Sequence, residues 1–330
     1  SGNSILIITM FTFIVSLILV PLVIRIAFHV NAIDEPNERK VHEVPMPRLG
    51  GLAIFLSFIF GSMFFVEPSK KMLAILLGGF IIILLGIADD IKPVKARYKF
   101  LFQLIGAAVV VIYGDISLSN ISAFGINITF GELSHLVAII FIVGIINAIN
   151  LIDGLDGLAA GISSIYFLTI SIIGLMLTNT VGIEIVLCLL MLGATLGFLV
   201  YNFYPAKIFM GDTGSMFLGY MIAIIALLGF KAATFTSLLI PILLLFLPII
   251  DTLFAIFRRL LKGENIGKPD KEHLHHQLLK LNKSPKKTVL IMYGISILCS
   301  IISILYTIGN NRLAMLLYIA LIIAFSILVF

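Results

Sequence analysis

Long apolar runs recur along the whole chain, with short polar stretches between them. About 17–25 apolar residues in a helix span a bilayer core, and a helix satisfies its own backbone groups there. Eleven such spans are predicted, at roughly 5–27, 49–66, 71–88, 100–114, 133–150, 158–177, 183–200, 214–230, 235–257, 288–308 and 313–330. The runs are continuous rather than alternating, which argues against a β-barrel. Only Ile116 to Phe130 alternates, around Gly125, and predicts a small hairpin. The expected fold is all-α: a polytopic transmembrane helical bundle forming one integral membrane domain over residues 1–330. The longest polar interval, Arg259 to Lys287, is about 28 residues and leaves no room for a separate soluble domain.

One run ends unlike the others. In Gly144-Ile-Ile-Asn147-Ala-Ile-Asn150-Leu-Ile-Asp153-Gly-Leu-Asp156-Gly157, four polar residues recur every third position. Three residues turn an ideal helix by about 300°, so the row would drift over half the helix surface. Its members converge only if the helix breaks, and Gly154 and Gly157 are placed to break it. A helix end, a tight Gly turn and a new helix are predicted, with carboxylates and amides lining the turn.

Charge then gives the topology. Cytoplasmic loops of membrane proteins carry an excess of Lys and Arg. With the N-terminus outside, only Lys70, Lys71, Lys231 and Arg312 of the 22 Lys and Arg fall outside. The C-terminus then lies inside, and the inside loops are 28–48, 89–99, 151–157, 201–213 and 258–287. Every polar cluster falls in or beside one of these loops, so the active site is expected on the cytoplasmic face. The chain is 60% hydrophobic and 12% charged, which excludes a soluble domain, and its net charge of +5 sits mostly in loops and does not imply nucleic acid. Cys188 and Cys299 lie inside apolar runs and suggest neither a disulfide nor a metal framework. The leading Ser1-Gly2-Asn3, without a starting Met, is set aside.

The clusters carry chemistry. Asp89-Asp90 ends a span, where like charge and the helix dipole both oppose them, so cations or a metal must compensate; one could be a general base. Lys92 and Lys95 satisfying an interfacial acidic pair is the plainer alternative. Asp153 and Asp156 could bind a metal, a sugar or a uracil edge, or simply satisfy a polar helix break. Gly211-Asp212-Thr213-Gly214-Ser215 opens a span with backbone N–H groups suited to phosphate, and Asp212 suits Mg²⁺, although an Asp helix cap looks the same. His273-Leu-His275-His276 lies in a basic loop without the Cys or second pair that zinc asks for, and fits a pyrophosphate better. Lys40, His42 and Arg48 sit in a basic, Pro-stiffened loop that could bind phosphates or merely anchor the chain. Asp251, within a span and one to two turns before Arg258 and Arg259, reads as a structural carboxylate that snorkels or pairs inward. Taken together, these groups on one face describe the handling of a phosphorylated substrate at a membrane. A secondary transporter would place its carboxylates nearer the midplane, often within inverted repeats, and no repeat is visible.

The ordered motifs resemble those of the polyprenyl-phosphate N-acetylhexosamine-1-phosphate transferases. They are Pro-x-Pro-Arg-x-Gly-Gly from Pro45, Asp89-Asp90 with Ala-Arg-Tyr-Lys ending at Lys99, Asn-x-x-Asp-Gly-x-Asp-Gly-Leu from Asn150, Asn202 ten residues before Asp212, and His-x-His-His from His273. Each is weak alone, but the ordered set is specific and covers nearly the whole chain. The resemblance implies transfer of a sugar 1-phosphate from a UDP-sugar to a polyprenyl phosphate with release of UMP, dependent on Mg²⁺, for which Mn²⁺ could substitute. The chain looks most like the branch that uses UDP-N-acetylglucosamine and undecaprenyl phosphate to start teichoic acid or related cell-wall polymers in the bacterial plasma membrane. The muramoyl-pentapeptide branch usually carries three consecutive His where this chain has His275-His276-Gln277.

The resemblance also implies roles. Asp212 would bind the metal; Asp89 and Asp90 would face the polyprenyl phosphate, with Asp90 as base; Lys99 would neutralise phosphate. Asn150, Asp153 and Asp156 would shape the uridine pocket, supported by Asn202. His273, His275 and His276 would meet pyrophosphate or sugar, and Lys40, His42 and Arg48 would contact substrate. A homodimer is expected from the family alone.

Overall fold

The computed structural model describes residues 2–35, 44–123, 126–178, 181–231, 239–261, 273–282 and 284–329. Thirteen α-helices are described: α1 (Gly2–His29), α2 (Gly51–Phe65), α3 (Lys70–Ile91), α4 (Ala96–Ala108), α5 (Ser134–Ile152), α6 (Leu158–Leu177), α7 (Ile183–Asn202), α8 (Gly211–Lys231), α9 (Leu239–Leu244), α10 (Phe246–Leu261), α11 (Leu274–Asn282), α12 (Pro285–Thr307) and α13 (Asn311–Val329). Helix α4 runs on into a π-turn over Val109–Tyr113. The predicted hairpin is present as antiparallel β3 (Asn120–Ala123) and β4 (Ile126–Thr129). A second pair, β1 (Ile33–Asp34) and β2 (Met46–Pro47), closes the loop after α1 and was not foreseen.

Each of the eleven predicted spans coincides with helix, but not every span is one long helix. Among the described residues, eight helices are long and apolar enough to cross a membrane: α1, α3, α4 with its π-turn, α5, α6, α7, α8 and α12. Helix α2 and the apolar part of α13 are shorter. The predicted span 235–257 is broken, with α9 ending at Leu244 and α10 starting at Phe246. Pro248 explains the break, because it has no N–H to offer the carbonyl of Leu244 and its ring crowds that turn.

Helix α8 is the axis of the bundle, with nearly all of its span buried. It packs against α2, α3, α5, α6 and α7. A Cβ on Gly86 of α3 would lie 2.3 Å from the Cα of Thr213. Only glycine lets α3 come this close, and the approach brings Asp89 and Asp90 to the first turn of α8. Cys188 and Cys299 are buried free thiols.

Candidate active site

Four helix ends meet at one place. The C-terminal ends of α3 and α5 face the N-terminal turns of α4 and α8, and each end brings polar side chains out of an apolar helix. Asp90 is buried, and both its oxygens are taken. Oδ1 accepts from the N–H of Asp212 at 2.9 Å and lies 3.3 Å from Nε of Arg48. Oδ2 accepts from the N–H of Thr213 at 3.0 Å and from its hydroxyl at 2.6 Å. Asp90 therefore caps α8 from another helix, with its negative charge at the positive end of the dipole. This corrects the expectation that those N–H groups are free for phosphate; Asp90 already holds them. Arg48 also reaches Asp34 at 3.5 Å, tying the β1–β2 strand pair to the site.

Asp89 and Asp212 share Lys99. Its ammonium lies 2.8 Å from Oδ2 of Asp89 and 2.6 Å from Oδ2 of Asp212. The other oxygen of Asp89 accepts from the N–H of Val94 at 2.7 Å. The compensating cations for the acidic pair are thus Lys99 and Arg48, whereas Lys92 and Lys95 are exposed. One oxygen each from Asp89, Asp90 and Asp212 lie within 4.8 Å of one another. Carboxylate oxygens so grouped are a hard donor set, which fits a divalent cation such as Mg²⁺ better than a soft metal.

Beneath this layer lies a second one. Gln103, four residues after Lys99 on α4, donates to Sδ of Met216 at 3.4 Å and accepts from Asn147 of α5 at 2.8 Å. Met216 is likewise four residues after Asp212, so α4 and α8 meet twice at helical spacing.

The α5–α6 turn adjoins the acids. Helix α5 ends at Ile152 and α6 begins at Leu158, with Gly157 in the left-handed region at φ +74°. Asn150 donates to Oγ of Ser215 at 2.8 Å and also interacts with the Asp212 carboxylate. Asp156 accepts from the N–H of Ala206 at 2.9 Å. Asn202, buried at the end of α7, accepts from the N–H of Gly157 at 3.1 Å and donates to the carbonyl of Ile208 at 2.9 Å. Its amide bonds backbone at both ends, so it clamps the turn. Tyr293 of α12 donates to the carbonyl of Gly157. Asp153 has a different environment: burial first, then the charges of Asp212 and Asp90, push its carboxyl up to about 8.

The histidines form an arm over this turn. His273 and His275 are buried, with rings parallel and centroids 5.8 Å apart, and His276 lies 4.2 Å from His275. Nδ1 of His273 lies 3.1 Å from Oδ2 of Asp251. Burial, aided by His276, drives His275 down to about 3, so its ring is neutral near pH 7 and attracts phosphate by no charge of its own. A Cβ on Gly154 would lie 2.2 Å from Nε2 of His275.

Of the residues singled out from sequence, Arg48, Asp89, Asp90, Lys99 and Asp212 thus form one charged cluster. Asn150, Asp153, Asp156 and Asn202 form the adjoining turn, and His273, His275 and His276 lie over it. Lys40 and His42 fall outside the described residues. Sequence reading missed Thr213 as the hydroxyl partner of Asp90, and Gln103. The signal for Gln103 was its four-residue spacing from Lys99. No local signal joins Asp251 to His273, 22 residues apart.

Comparison with known proteins gives the chain a family. The model of glycosyl transferase family 4 matches residues 72–230, which contain both acidic motifs and the Asn150–Asp156 turn. A Bacillus subtilis protein named "Probable undecaprenyl-phosphate N-acetylglucosaminyl 1-phosphate transferase" is 43% identical over 316 residues, which are 94% of this chain and 87% of that protein. The decaprenyl-phosphate N-acetylglucosaminephosphotransferase of Mycobacterium tuberculosis is 34% identical, over 81% of this chain and 74% of its own. The undecaprenyl-phosphate alpha-N-acetylglucosaminyl 1-phosphate transferase of Escherichia coli is 24% identical, over 84% and 77%. With likeness along nearly the whole chain to such transferases, this protein belongs to glycosyl transferase family 4.

Proposed function

We propose that the chain transfers N-acetylglucosamine 1-phosphate from UDP-N-acetylglucosamine to undecaprenyl phosphate, giving undecaprenyl-diphospho-N-acetylglucosamine and UMP. The printed names of its relatives support that donor sugar and a polyprenyl-phosphate acceptor. The observation that carries the chemistry is the Lys99 bridge between Asp89 and Asp212, at helix ends beside the Asn150–Asp156 turn. The Lys and Arg distribution supports a cytoplasmic site in a bacterial plasma membrane, with the N-terminus outside and eleven spans. The first membrane step of teichoic acid or a related cell-wall polymer is the setting.

A phosphate oxygen of the lipid attacks the phosphorus that carries the sugar. A new P–O bond forms, the pyrophosphate P–O bond breaks, and UMP leaves with the bonding pair. Asp212 would hold Mg²⁺, which when bound would neutralise pyrophosphate charge and favour UMP as leaving group. Lys99 offers its ammonium to the same oxygens. The base that takes the lipid phosphate's proton falls to Asp89 rather than Asp90, because both Asp90 oxygens are committed to the α8 N-terminus and Arg48, whereas Asp89 meets Lys99, the N–H of Val94 and the Asp212 carboxyl and caps no helix. Asp90 acts by setting Asp212 in place. Direct displacement asks less of these residues than a covalent aspartyl intermediate, which would need a carboxylate free of such ties. The Asn150–Asp156 turn, tied to Asp212 through Asn150, takes the nucleotide.

Purified protein assayed for UMP release with undecaprenyl phosphate, Mg²⁺ and UDP-N-acetylglucosamine tests this reading. Asp212→Asn should lower turnover by about a thousandfold or more. An Asp212→Asn protein that keeps substantial activity would remove the metal role, and a wild type that prefers another UDP-sugar would change the donor.

A further inference from the structure

The Asp251–His273 pair lies outside the phosphate chemistry just described, yet it is built like part of a site. Asp251, on α10, is 3% exposed in an apolar helix. Both its oxygens are used: Oδ2 faces Nδ1 of His273 at 3.1 Å, and Oδ1 accepts from the N–H of Leu274 at 2.8 Å. Leu274 is the first residue of α11, so Asp251 supplies the negative charge and acceptor that this helix start needs. A carboxylate is only an acceptor, so the proton on His273 is fixed on Nδ1. From there a chain of contacts leads to the nucleotide turn. The ring of His273 lies parallel to that of His275, and His275 lies directly on Gly154, where no side chain fits. Gly154 separates Asp153 from Leu155 and Asp156. One end of the chain is thus anchored on α10 by a buried charge, and the other rests on the α5–α6 turn.

We propose that Asp251 is a positioning residue for the donor side of the site: it fixes His273 and the start of α11, so that His275 holds the Asp153–Asp156 turn in its binding shape. The inference rests on the donor reading above. A carboxylate buried in this position is retained at a desolvation cost, and the two contacts, one to backbone and one to a ring, give the reason. Helix α11 could not place His275 without them, because its first N–H and the His273 N–H would both be left unpaired and buried.

The test uses the purified full chain, with the KM for UDP-N-acetylglucosamine, the KM for undecaprenyl phosphate and kcat measured separately. Asp251→Asn and Gly154→Ala perturb opposite ends of the relay. Each should raise the donor KM about tenfold or more and leave kcat and the acceptor KM within about threefold, because a loosened turn costs uniform donor binding. The double variant should be no worse than the poorer single one, since both break the same relay. His273→Asn, whose amide can still donate to Asp251, should retain a donor KM well below that of His273→Ala. This pair carries the test should Asp251→Asn fail to fold. An unchanged donor KM in Asp251→Asn, a double variant equal to the product of the singles, or His273→Asn as poor as His273→Ala would each overturn the proposal. A wild type without turnover of the UDP-sugar would instead overturn the donor reading.

Discussion

The two halves of the site hold their polar groups in opposite ways. Around Lys99 the protein works with charge: Asp89, Asp90 and Asp212 each meet a cation or helix-start N–H groups contributed by another element. Around the α5–α6 turn there is little countercharge. Asn150 and Asn202 hold it by amide contacts, Tyr293 by its hydroxyl and His275 by packing. The titratable groups on that side shift towards neutrality: Asp153 goes up to about 8 and His275 down to about 3. The difference suits the two substrates' chemistries. Reacting phosphates need fixed charges that stabilise charge as it moves, whereas a nucleoside is recognised by neutral donors and acceptors in a shaped pocket.

The charged half should therefore be the more fragile. Lys99→Met leaves Asp89 and Asp212 facing each other without their shared cation. We expect kcat to fall by about a hundredfold or more, in line with the loss of a preorganised charge at a reacting phosphate. Asn150→Ala, on the neutral side, should cost nearer tenfold, and in the donor KM. Steady-state kinetics on both variants decide the comparison: if Lys99→Met loses no more than Asn150→Ala, the halves do not differ in the way their contacts indicate.

Next in size is a pH effect. Below about 8 Asp153 keeps its proton and can donate a hydrogen bond; above it the carboxyl ionises and loses that donor. Donor binding by the wild type, measured without divalent metal, should therefore weaken as pH passes through about 8. Asp153→Asn, which keeps a neutral donor, should show no such weakening and should stay close to the wild type at pH 7. The same shift acts on stability. Free aspartate ionises near 4, so between about 4 and 8 the folded state holds a proton that the unfolded state has lost, and stability falls as pH rises across that window. Melting curves should accordingly show Asp153→Asn gaining on the wild type from pH 5 to pH 8. Parallel curves would mean that Asp153 is ionised throughout.

How much of this was legible beforehand depends on the range of the interaction. The hydrophobic periodicity located helix at every predicted span, because burial in a bilayer is written into runs of one residue class. The break between α9 and α10 was marked by Pro248 but hidden by the hydropathy of the flanking residues. The Gly154 and Gly157 turn was readable, since three-residue spacing cannot converge on an unbroken helix. What sequence order could not give was partnership. Asp90 and Asp212 stand 122 residues apart, and nothing local says that the first caps the helix carrying the second. Read locally, the Gly211–Ser215 start offered its N–H groups to phosphate; in three dimensions Asp90 fills that place. Asn202 was expected to support the nucleotide pocket, but sequence order gave no sign that it would do so through the backbone of Gly157 and Ile208.

The smallest expected effect lies at Gly157, and it sharpens how the neutral half is held. Its φ of +74° is cheap for glycine and costs other L-residues about 1–2 kcal/mol. A Cβ there would also stand 3.2 Å from the Phe203 ring and from the Tyr293 hydroxyl, so both must shift slightly. Gly157→Ala should lower the melting temperature by a few degrees and raise the donor KM severalfold, with kcat and the acceptor KM nearly unchanged. Gly157→Asn carries a larger side chain but tolerates the left-handed region better. If backbone conformation dominates, Asn should outperform Ala; if contact with Phe203 and Tyr293 dominates, Asn should be the worse of the two. The order of the two variants thus tells whether the turn is held by its dihedral angles or by the side chains packed against it.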